Sequence, residues 1–471
     1  MNIVLLGIIF YILLQLLLGY IVSRTIRTET DYLLAGRSLG YGLATFSIFA
    51  TWFGAESCIG TAGAAYSEGI AGVTADPFGY GICLFFMGVL FAVPLWKMKL
   101  TTIADFFRLR FSPQAERMTA ILMVPTSLFW AAAQIRAFGQ VLSASSDLSV
   151  TLAVTIAAAI VVTYTVFGGL LADAMTDVVQ GIVLIAGLVV LLPIVVGDLG
   201  GISSALATIS PDQLSLRPQG EWTPSHVLRI TDAWAIPICG SIIAQELVSR
   251  VIASRSPMVA RRSSLIASSM YVLIGLIPLG VGLLGRHLVP DLEHPEQILP
   301  MVAQRHLSTL LYVVFAGALV SAILSTVDSA LLAASGLFSH NVLIPLRPMM
   351  SEERKVRIAR WGVALSGTLA YVLALFAEGV YDLVKDASSF GSAGIFIVFI
   401  LGFFTRFGGA KSGVSALVTG AVVWLAGHYL LDLEGSYVLA LTSSLVAYVG
   451  GALFEKQGTS ATAASDAEAR S

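Results

Sequence analysis

The stretch Ser321-Ala-Ile-Leu-Ser-Thr-Val-Asp-Ser-Ala-Leu-Leu-Ala-Ala-Ser335 places one aspartate and several hydroxyl groups inside an apolar run that extends over residues 305–337. If this stretch is helical, Ala322 and the hydroxyl-bearing residues Ser325, Thr326 and Ser329 fall within an arc of about 100°, with Asp328 just beside it. Lipid cannot satisfy such oxygens, and a carboxylate at membrane depth is costly unless it faces a cavity or a partner. Hard oxygen ligands on one face suit a small alkali cation.

The composition predicts an all-α polytopic membrane protein. The chain has 471 residues, of which 56% are hydrophobic and only 12% are charged, with a mean hydropathy of +0.85. A soluble chain carries about 25% charged residues. The net charge of −2 indicates no nucleic-acid partner. The three cysteines lie in apolar segments, which argues against a disulfide framework or a zinc site.

Apolar runs long enough to cross a bilayer occur thirteen times. Their approximate positions are 3–23, 41–65, 77–96, 118–143, 149–167, 175–197, 231–251, 263–285, 305–337, 357–378, 381–404, 411–430 and 436–455. The first run lacks a basic start and a cleavage site, so we expect a retained helix rather than a signal peptide. Residues 1–456 are predicted to form one transmembrane domain, and residues 457–471 are predicted to be a disordered cytoplasmic tail.

The distribution of Lys and Arg predicts the orientation. With the N-terminus outside, the inner loops and the tail hold 21 of the 27 basic residues, Arg250 among them. The C-terminus is then cytoplasmic. We expect a multi-pass protein of the plasma membrane, which is the inner membrane in a bacterium.

The thirteen spans divide into two sets of five with opposite orientation, over residues 41–197 and 231–404. One extra span precedes them and two follow. The first helix of each set contains a candidate break, at residues 50–57 (ATWFGAES) and 237–241 (PICGS). Inverted repeats with broken first helices are a transporter design that binds substrate and ions near the bilayer midplane.

Six short segments in this order resemble the sodium/solute symporter family: residues 31–37 (DYLLAGR), 50–56 (ATWFGAE), 63–66 (GAAY), 163–170 (TYTVFGGL), 176–180 (TDVVQ) and 325–331 (STVDSAL). The resemblance implies a LeuT-type 5+5 inverted repeat and transport driven by sodium. Within the family, the motifs are most similar to the high-affinity choline transporter branch. Segments 129–133 (FWAAA) and 298–302 (ILPMV) contribute to that similarity.

The resemblance also implies a sodium site. Its expected ligands are the carbonyls of Ala50, Phe53 and Ala322 and the hydroxyls of Ser325 and Thr326. An unwound turn would free carbonyls for this purpose. A second sodium ion would use Asp177, Asp328 and Ser329; the alternative is that these residues line the path of sodium release.

An aromatic box for a quaternary ammonium, held by cation–π attraction, is implied at Trp52, Tyr80 and Trp130. Two further tryptophans of the box are replaced here, at Ala244 and near Val384, which leaves choline itself in doubt. Other candidate substrate residues are Glu56, Gln134 and Gln245. The basic residues Arg136 and Lys385 would instead meet a substrate carboxylate, or pair internally with Glu56, Glu246 or Asp386.

The sequence therefore predicts a sodium symporter that imports a small organic solute by alternating access, with choline or a related quaternary amine as the first substrate class. A sodium symporter for an amino acid or an organic acid is the alternative. A non-transporting membrane sensor, a channel and an intramembrane enzyme are less favoured interpretations. The enzyme is less favoured because the sequence has no H-E-x-x-H motif. The expected partners are sodium, a small-molecule substrate and the lipid bilayer. The sequence does not indicate the oligomeric state.

Overall fold

The computed structural model describes residues 10, 13, 17, 20–22, 24–144, 148–215, 222–347, 349–376 and 380–468. Within these ranges, the side chains of residues 144, 164, 318, 321, 380–382, 385, 386 and 456–468 are outside the description. Every regular element in the described ranges is helical, and a single bridge pairs Leu39 with Ser254. The prediction of an all-α protein is confirmed.

The helices are numbered here in chain order. The first nine are α1 (Glu29–Leu34), α2 (Tyr41–Trp52), α3 (Thr61–Glu68), α4 (Thr74–Met98), α5 (Ala104–Arg110), α6 (Pro113–Ala144), α7 (Val150–Asp198), α8 (Ile202–Thr208) and α9 (Pro224–Ala235). The other nine are α10 (Gln245–Ala253), α11 (Pro257–Leu288), α12 (Ile298–His306), α13 (Thr309–Phe338), α14 (Glu352–Phe376), α15 (Val380–Ser389), α16 (Ser392–Phe404), α17 (Ala410–Leu425) and α18 (Ser436–Glu468).

Ten segments of the described chain are long and apolar enough to cross a membrane. They correspond to ten of the thirteen predicted runs. The run at 3–23 lies mostly outside the described residues, and the run at 41–65 is interrupted between α2 and α3. The run at 149–167 contains the shorter apolar helix Val150–Thr163. The helix assignment of α18 extends to Glu468, but its side chains beyond residue 455 are outside the description, and the disordered tail stays a prediction.

Helix α7 contains the turn between the predicted fifth and sixth spans. Gly169 has φ +61° and ψ −176°, a backbone conformation that L side chains rarely adopt. A Cβ on Gly169 would also lie 2.9 Å from the carbonyl oxygen of Tyr32 in α1. Glycine is therefore required where the chain reverses against α1.

The polar helix α13 lies in the middle of the bundle, packed against α6, α7, α14 and α2. Its hydroxyl-bearing face is removed from lipid: Ser325 and Ser329 are 0% exposed, and Thr326 and Asp328 are buried as well. The arc of oxygens read from the sequence therefore faces other helices.

Close helix packing in this fold depends on small residues. On α11, a Cβ at Gly282 would lie 2.3 Å from the carbonyl oxygen of Ala62 and 2.7 Å from the Cβ of Ala65, both on α3. Gly197, near the end of α7, has nothing within 4 Å of the same position. The two glycines are a matched pair for testing this packing.

We expect Gly282→Ala to separate α11 from α3 and to lower the free energy of unfolding by about 1–3 kcal/mol, the usual cost of overpacking. Gly197→Ala meets no neighbour and should leave stability equal or slightly raised. The measurement is the apparent Tm of each purified variant in detergent. Equal Tm values for Gly282→Ala and the parent protein would contradict the packing described here.

Candidate ion and substrate site

The predicted break in the second span is present. Helix α2 ends at Trp52, and Phe53 leaves helical geometry with φ −92° and ψ 68°. A wide π turn at Glu56–Gly60 then leads into α3. The other predicted break is present as well: a π turn at Ile236–Gly240 follows α9, and a non-helical turn precedes α10.

Gly54 allows the break to approach α13 and α6. A Cβ at this position would lie 2.8 Å from Oγ1 of Thr326, 2.9 Å from Oε2 of Glu56 and 3.0 Å from Oε1 of Gln134. Any side chain here would therefore push the interrupted helix away from the polar groups that surround it.

The structure places several of the predicted sodium ligands side by side. Oγ1 of Thr326 lies 3.5 Å from the carbonyl oxygen of Ala50 and 3.2 Å from that of Ala322. Phe53 is buried at the end of α2. The Ser325 hydroxyl donates to the carboxylate of Asp177, which brings a negative charge next to this group of oxygens. The assignment of a sodium ion to these atoms stays a prediction.

Two of the three residues predicted for a second ion lie in one buried network. Asp177 accepts hydrogen bonds from Ser325 and, at 2.6 Å, from Ser47. Ser329 accepts one from the guanidinium of Arg250. Asp328 precedes Ser329 in the sequence, but its carboxylate accepts a hydrogen bond from Thr165 of α7, at 2.6 Å.

The count of basic residues placed Arg250 in an inner loop, and this placement is wrong. It belongs to α10, is 0% exposed and forms an ion pair with Asp173 of α7. Its position at the end of the apolar run 231–251 is compatible with either a loop or a helix end. Only the packing of α7 and α13 around it decides that it is buried.

The three aromatic residues predicted for the substrate box contact one another. The ring centroid of Trp52 lies 5.2 Å from that of Tyr80 and 5.8 Å from that of Trp130, and those of Tyr80 and Trp130 are 6.0 Å apart. These are distances of direct aromatic packing, so the rings leave no space for a cation between them in this arrangement.

Glu56 and Gln134 are joined by a short hydrogen bond of 2.6 Å from the amide of Gln134 to Oε2 of Glu56. The amide oxygen of Gln134 accepts from the backbone N–H of Ala55 at 3.0 Å. Oε1 of Glu56 is buried and has no hydrogen-bond partner within the described part of the chain. An unsatisfied buried carboxylate oxygen is costly and suits a site that receives a ligand.

A cavity of about 440 Å³ extends from this region toward the loop after α17. Its inner end is lined by Glu56, Tyr80 and Asp76. Asp76 was not singled out from the sequence; it accepts hydrogen bonds from Ser57, at 3.1 Å, and from Tyr271. The Tyr271 hydroxyl also lies 3.1 Å from the carbonyl oxygen of Trp52, so Asp76 is connected to the break itself.

The charges of the cavity are mostly negative. Its lining contains five carboxylates and one arginine: Glu56, Asp76, Asp232, Asp432, Glu434 and Arg229. Arg229 lies 3.6 Å from a carboxylate oxygen of Glu434. Among the side chains that the structure describes, the inner end of the cavity therefore has two carboxylates and no lining cation, which favours a positively charged ligand.

Other candidate residues lie apart from this cavity. The side-chain oxygen of Gln245 accepts from the backbone N–H of Ile103 at 2.8 Å, and Glu246 accepts from Ser127 at 2.5 Å. Arg136 donates to the carbonyl of Ala374 at 3.0 Å. The side chains of Lys385 and Asp386 are outside the described residues.

Three comparisons with known proteins agree in class. A model of the sodium:solute symporter family matches residues 32–420. The chain is 29% identical over 397 residues to high-affinity choline transporter 1 of Drosophila melanogaster, covering 80% of this chain but only 63% of that protein, which is less than two thirds of its length. It is 26% identical to the sodium/pantothenate symporter of Escherichia coli (strain K12), with 90% of each chain covered.

The fold is also similar to a solved structure, a Na⁺-coupled sialic acid symporter in a substrate-bound outward-open state. The TM-score is 0.84 over 96% of this chain and 97% of the other, at 19% sequence identity. At this identity the similarity concerns the fold alone.

We expect Gln134→Leu to destabilise the protein, because it leaves the N–H of Ala55 and the carboxylate of Glu56 without their shared partner. The expected loss is about 1–3 kcal/mol for each buried polar group left unsatisfied, read as a lower Tm of the purified protein. Gln140→Leu, at an exposed position on the same helix α6, is the control and should change Tm little. Equal effects of the two substitutions would show that the bridge is unimportant.

Proposed function

Because this chain belongs to the sodium:solute symporter family, we propose that it imports a small organic cation into the cell together with sodium, by alternating access. Sodium is the coupled ion, as family membership implies. The observation that carries the choice of solute is the inner end of the cavity, where two carboxylates and one aromatic ring meet with no cation among the described lining residues. No catalytic step is needed to account for these groups, and we assign none.

The proposed sodium site consists of the carbonyls of Ala50, Phe53 and Ala322 and the hydroxyls of Ser325 and Thr326. Its support is the approach of α2 to α13, where the carbonyl oxygen of Ala50 lies 3.5 Å from Oγ1 of Thr326. The same Oγ1 lies 3.2 Å from the carbonyl oxygen of Ala322 on its own helix. Sodium would draw these oxygens inward and hold the two helices together. The carboxylate of Asp177, bonded to Ser325, would supply the counter-charge.

The proposed solute carries an ammonium group that lies against Oε1 of Glu56, the carboxylate of Asp76 and the ring of Tyr80. The first oxygen is buried and unsatisfied, and the other two groups line the same cavity. Trp52 and Trp130 back the Tyr80 ring and would strengthen its cation–π attraction. A choline-like amine fits this chemistry. Gln134 holds Glu56 in place, whereas Gln245 has no part in this arrangement.

A sodium symporter for an organic acid or an amino acid is the second candidate. A carboxylate substrate would need a basic group at the inner end, but the one arginine among the described lining residues, Arg229, lies next to Glu434. This arrangement favours the cation.

The proposed architecture has thirteen spans in one transmembrane domain over residues 1–456, with the N-terminus outside. Two inverted repeats cover residues 41–197 and 231–404. The ten apolar segments, the interrupted pair α2–α3 and the short helix Val150–Thr163 are consistent with this count. In this orientation the acidic cavity opens to the outside, where it would attract sodium and a cationic solute.

We propose that sodium binding and solute binding are coupled through the helix break after Trp52. Sodium orders the turn after Trp52, and the carbonyl of Trp52 is bonded to Tyr271, which also holds Asp76. Occupation of one site therefore positions the carboxylate of the other, with a coupling free energy of about 1–3 kcal/mol. The repeats then rock, and the ion and the solute leave on the cytoplasmic side.

We expect Thr326→Ala to raise the sodium concentration needed for half-maximal uptake by about tenfold, since one of five ligands is lost and a tenfold change corresponds to about 1.4 kcal/mol. The measurement is sodium-dependent uptake in proteoliposomes. Thr368→Ala is the control, because its exposed hydroxyl bonds only to Ala364 of its own helix, at 2.9 Å. Unchanged sodium dependence in Thr326→Ala would refute the sodium site.

We expect Glu56→Gln and Asp76→Asn each to weaken binding of an organic cation by at least about tenfold, because a desolvated charge pair is lost. The measurement is a thermal-shift titration of purified protein in sodium with choline, betaines, amino acids and carboxylates. Glu353→Gln, an exposed residue at the start of α14, is the control. Stabilisation by carboxylates alone would overturn the cation assignment in favour of an organic acid.

A further inference from the structure

A fully buried guanidinium lies where four helices meet. Arg250 of α10 donates to the carboxylate of Asp173 on α7 and to the hydroxyl of Ser329 on α13. Its Nε lies 3.2 Å from the hydroxyl of Ser47 on α2. The remaining nitrogen donates within α10, to the carbonyl of Glu246 at 3.1 Å. Arginine is always charged, so the network contains a permanent cation.

This cation contacts one of the oxygens that a second sodium ion would need and is connected to another through one serine. Ser329 was predicted as a ligand of that ion and is bonded to the guanidinium instead. Asp177 is connected to the same guanidinium through Ser47, whose hydroxyl accepts from Arg250 and donates to Asp177 at 2.6 Å. Asp328 points to Thr165, on another side of α13.

The charges of Arg250, Asp173 and Asp177 then leave one negative charge for a mobile cation to neutralise. Asp173 and Arg250 neutralise each other in direct contact. Asp177 in its ionised form adds one negative charge, and its other oxygen accepts from Ser325, a ligand of the proposed sodium site. An uncompensated buried carboxylate is expensive inside a membrane. One sodium ion at Ser325 and Thr326 would neutralise it, and a second ion would find no free carboxylate in this network.

We propose that the Arg250 guanidinium is a built-in cation that takes the place of a second sodium ion, so that each transport cycle moves one sodium ion. This inference rests on the sodium symport proposed above. It adds the stoichiometry and the residue that determines it. Unlike a sodium ion, the guanidinium cannot be released, so the contacts among α2, α7, α10 and α13 do not depend on the sodium concentration.

Removal of the positive charge of Arg250 provides the test. In Arg250→Met the side chain keeps its approximate length and loses its charge, so Asp173 and Asp177 form a pair of carboxylates that repel each other unless a cation lies between them. We expect equilibrium binding of radioactive sodium, measured on purified full-length protein in detergent without solute, to rise from one ion per chain to two. Potassium would keep the ionic strength constant.

Two matched variants distinguish the loss of the Arg250 charge from a general disruption of the structure. Arg250→Met combined with Asp173→Asn removes the second carboxylate as well, and the count should return to one. Arg136→Met removes another arginine of the membrane region, bonded to the carbonyl of Ala374 and not to these carboxylates, and should leave the count at one. Two sodium ions on the unaltered protein, or one ion on a folded Arg250→Met variant, would overturn the inference while leaving sodium symport intact.

A measurement on the unaltered protein covers the case in which Arg250→Met does not fold. In proteoliposomes held at zero potential with an uncharged internal standard for volume, a tenfold sodium gradient would support a solute gradient of about tenfold with one coupled ion and about hundredfold with two, since each factor of ten is about 1.4 kcal/mol. A hundredfold gradient would reject the inference. Failure of sodium to support any solute gradient would instead reject the proposed symport.

Discussion

The contact between the interrupted second helix and α13 is the constraint on which the other features depend. At Gly54 the break comes so close to α13 and α6 that a Cβ would lie within 3.0 Å of three polar atoms. This approach turns the carbonyl of Ala50 toward Thr326 and places Glu56 beside Gln134. The proposed ion ligands and solute ligands thus lie at the same helix break, and movement of that segment would affect both.

Burial of charge explains the arrangement of the rest of the core. Carboxylates at membrane depth must be neutralised or hydrogen-bonded. Asp173 is neutralised by Arg250, and Asp177 is held by two serine hydroxyls in the network that continues to Ser325. Asp76 and Glu56 are treated differently: they line an open cavity, and their hydrogen bonds are to neutral groups. One pair of acids therefore belongs to the ion side of the break and the other to the solute side.

The three aromatic residues predicted for the substrate box lie together, but their geometry differs from the expected one. Trp52, Tyr80 and Trp130 meet, as their similarity to the choline transporter branch implied, but they pack on each other instead of enclosing a space. Only Tyr80 lines the cavity. Of the two positions where the tryptophans of the box are replaced, Val384 lines the cavity, and Ala244 lies just before α10.

The sequence by itself determined the helical class, the membrane setting, most of the spans and both helix breaks. These features depend on the length of apolar runs and on the placement of Gly, Pro and polar residues, which act locally along the chain. It also placed Ala50, Ala322 and Thr326 on facing segments through the family motif. Only the tertiary structure decided that Arg250 is buried, that Asp328 turns to Thr165 while Asp177 joins Ser325, and that Asp76 reaches the break through Tyr271. These outcomes depend on contacts between residues far apart in the chain, and no local pattern encodes which neighbour a buried charge will meet.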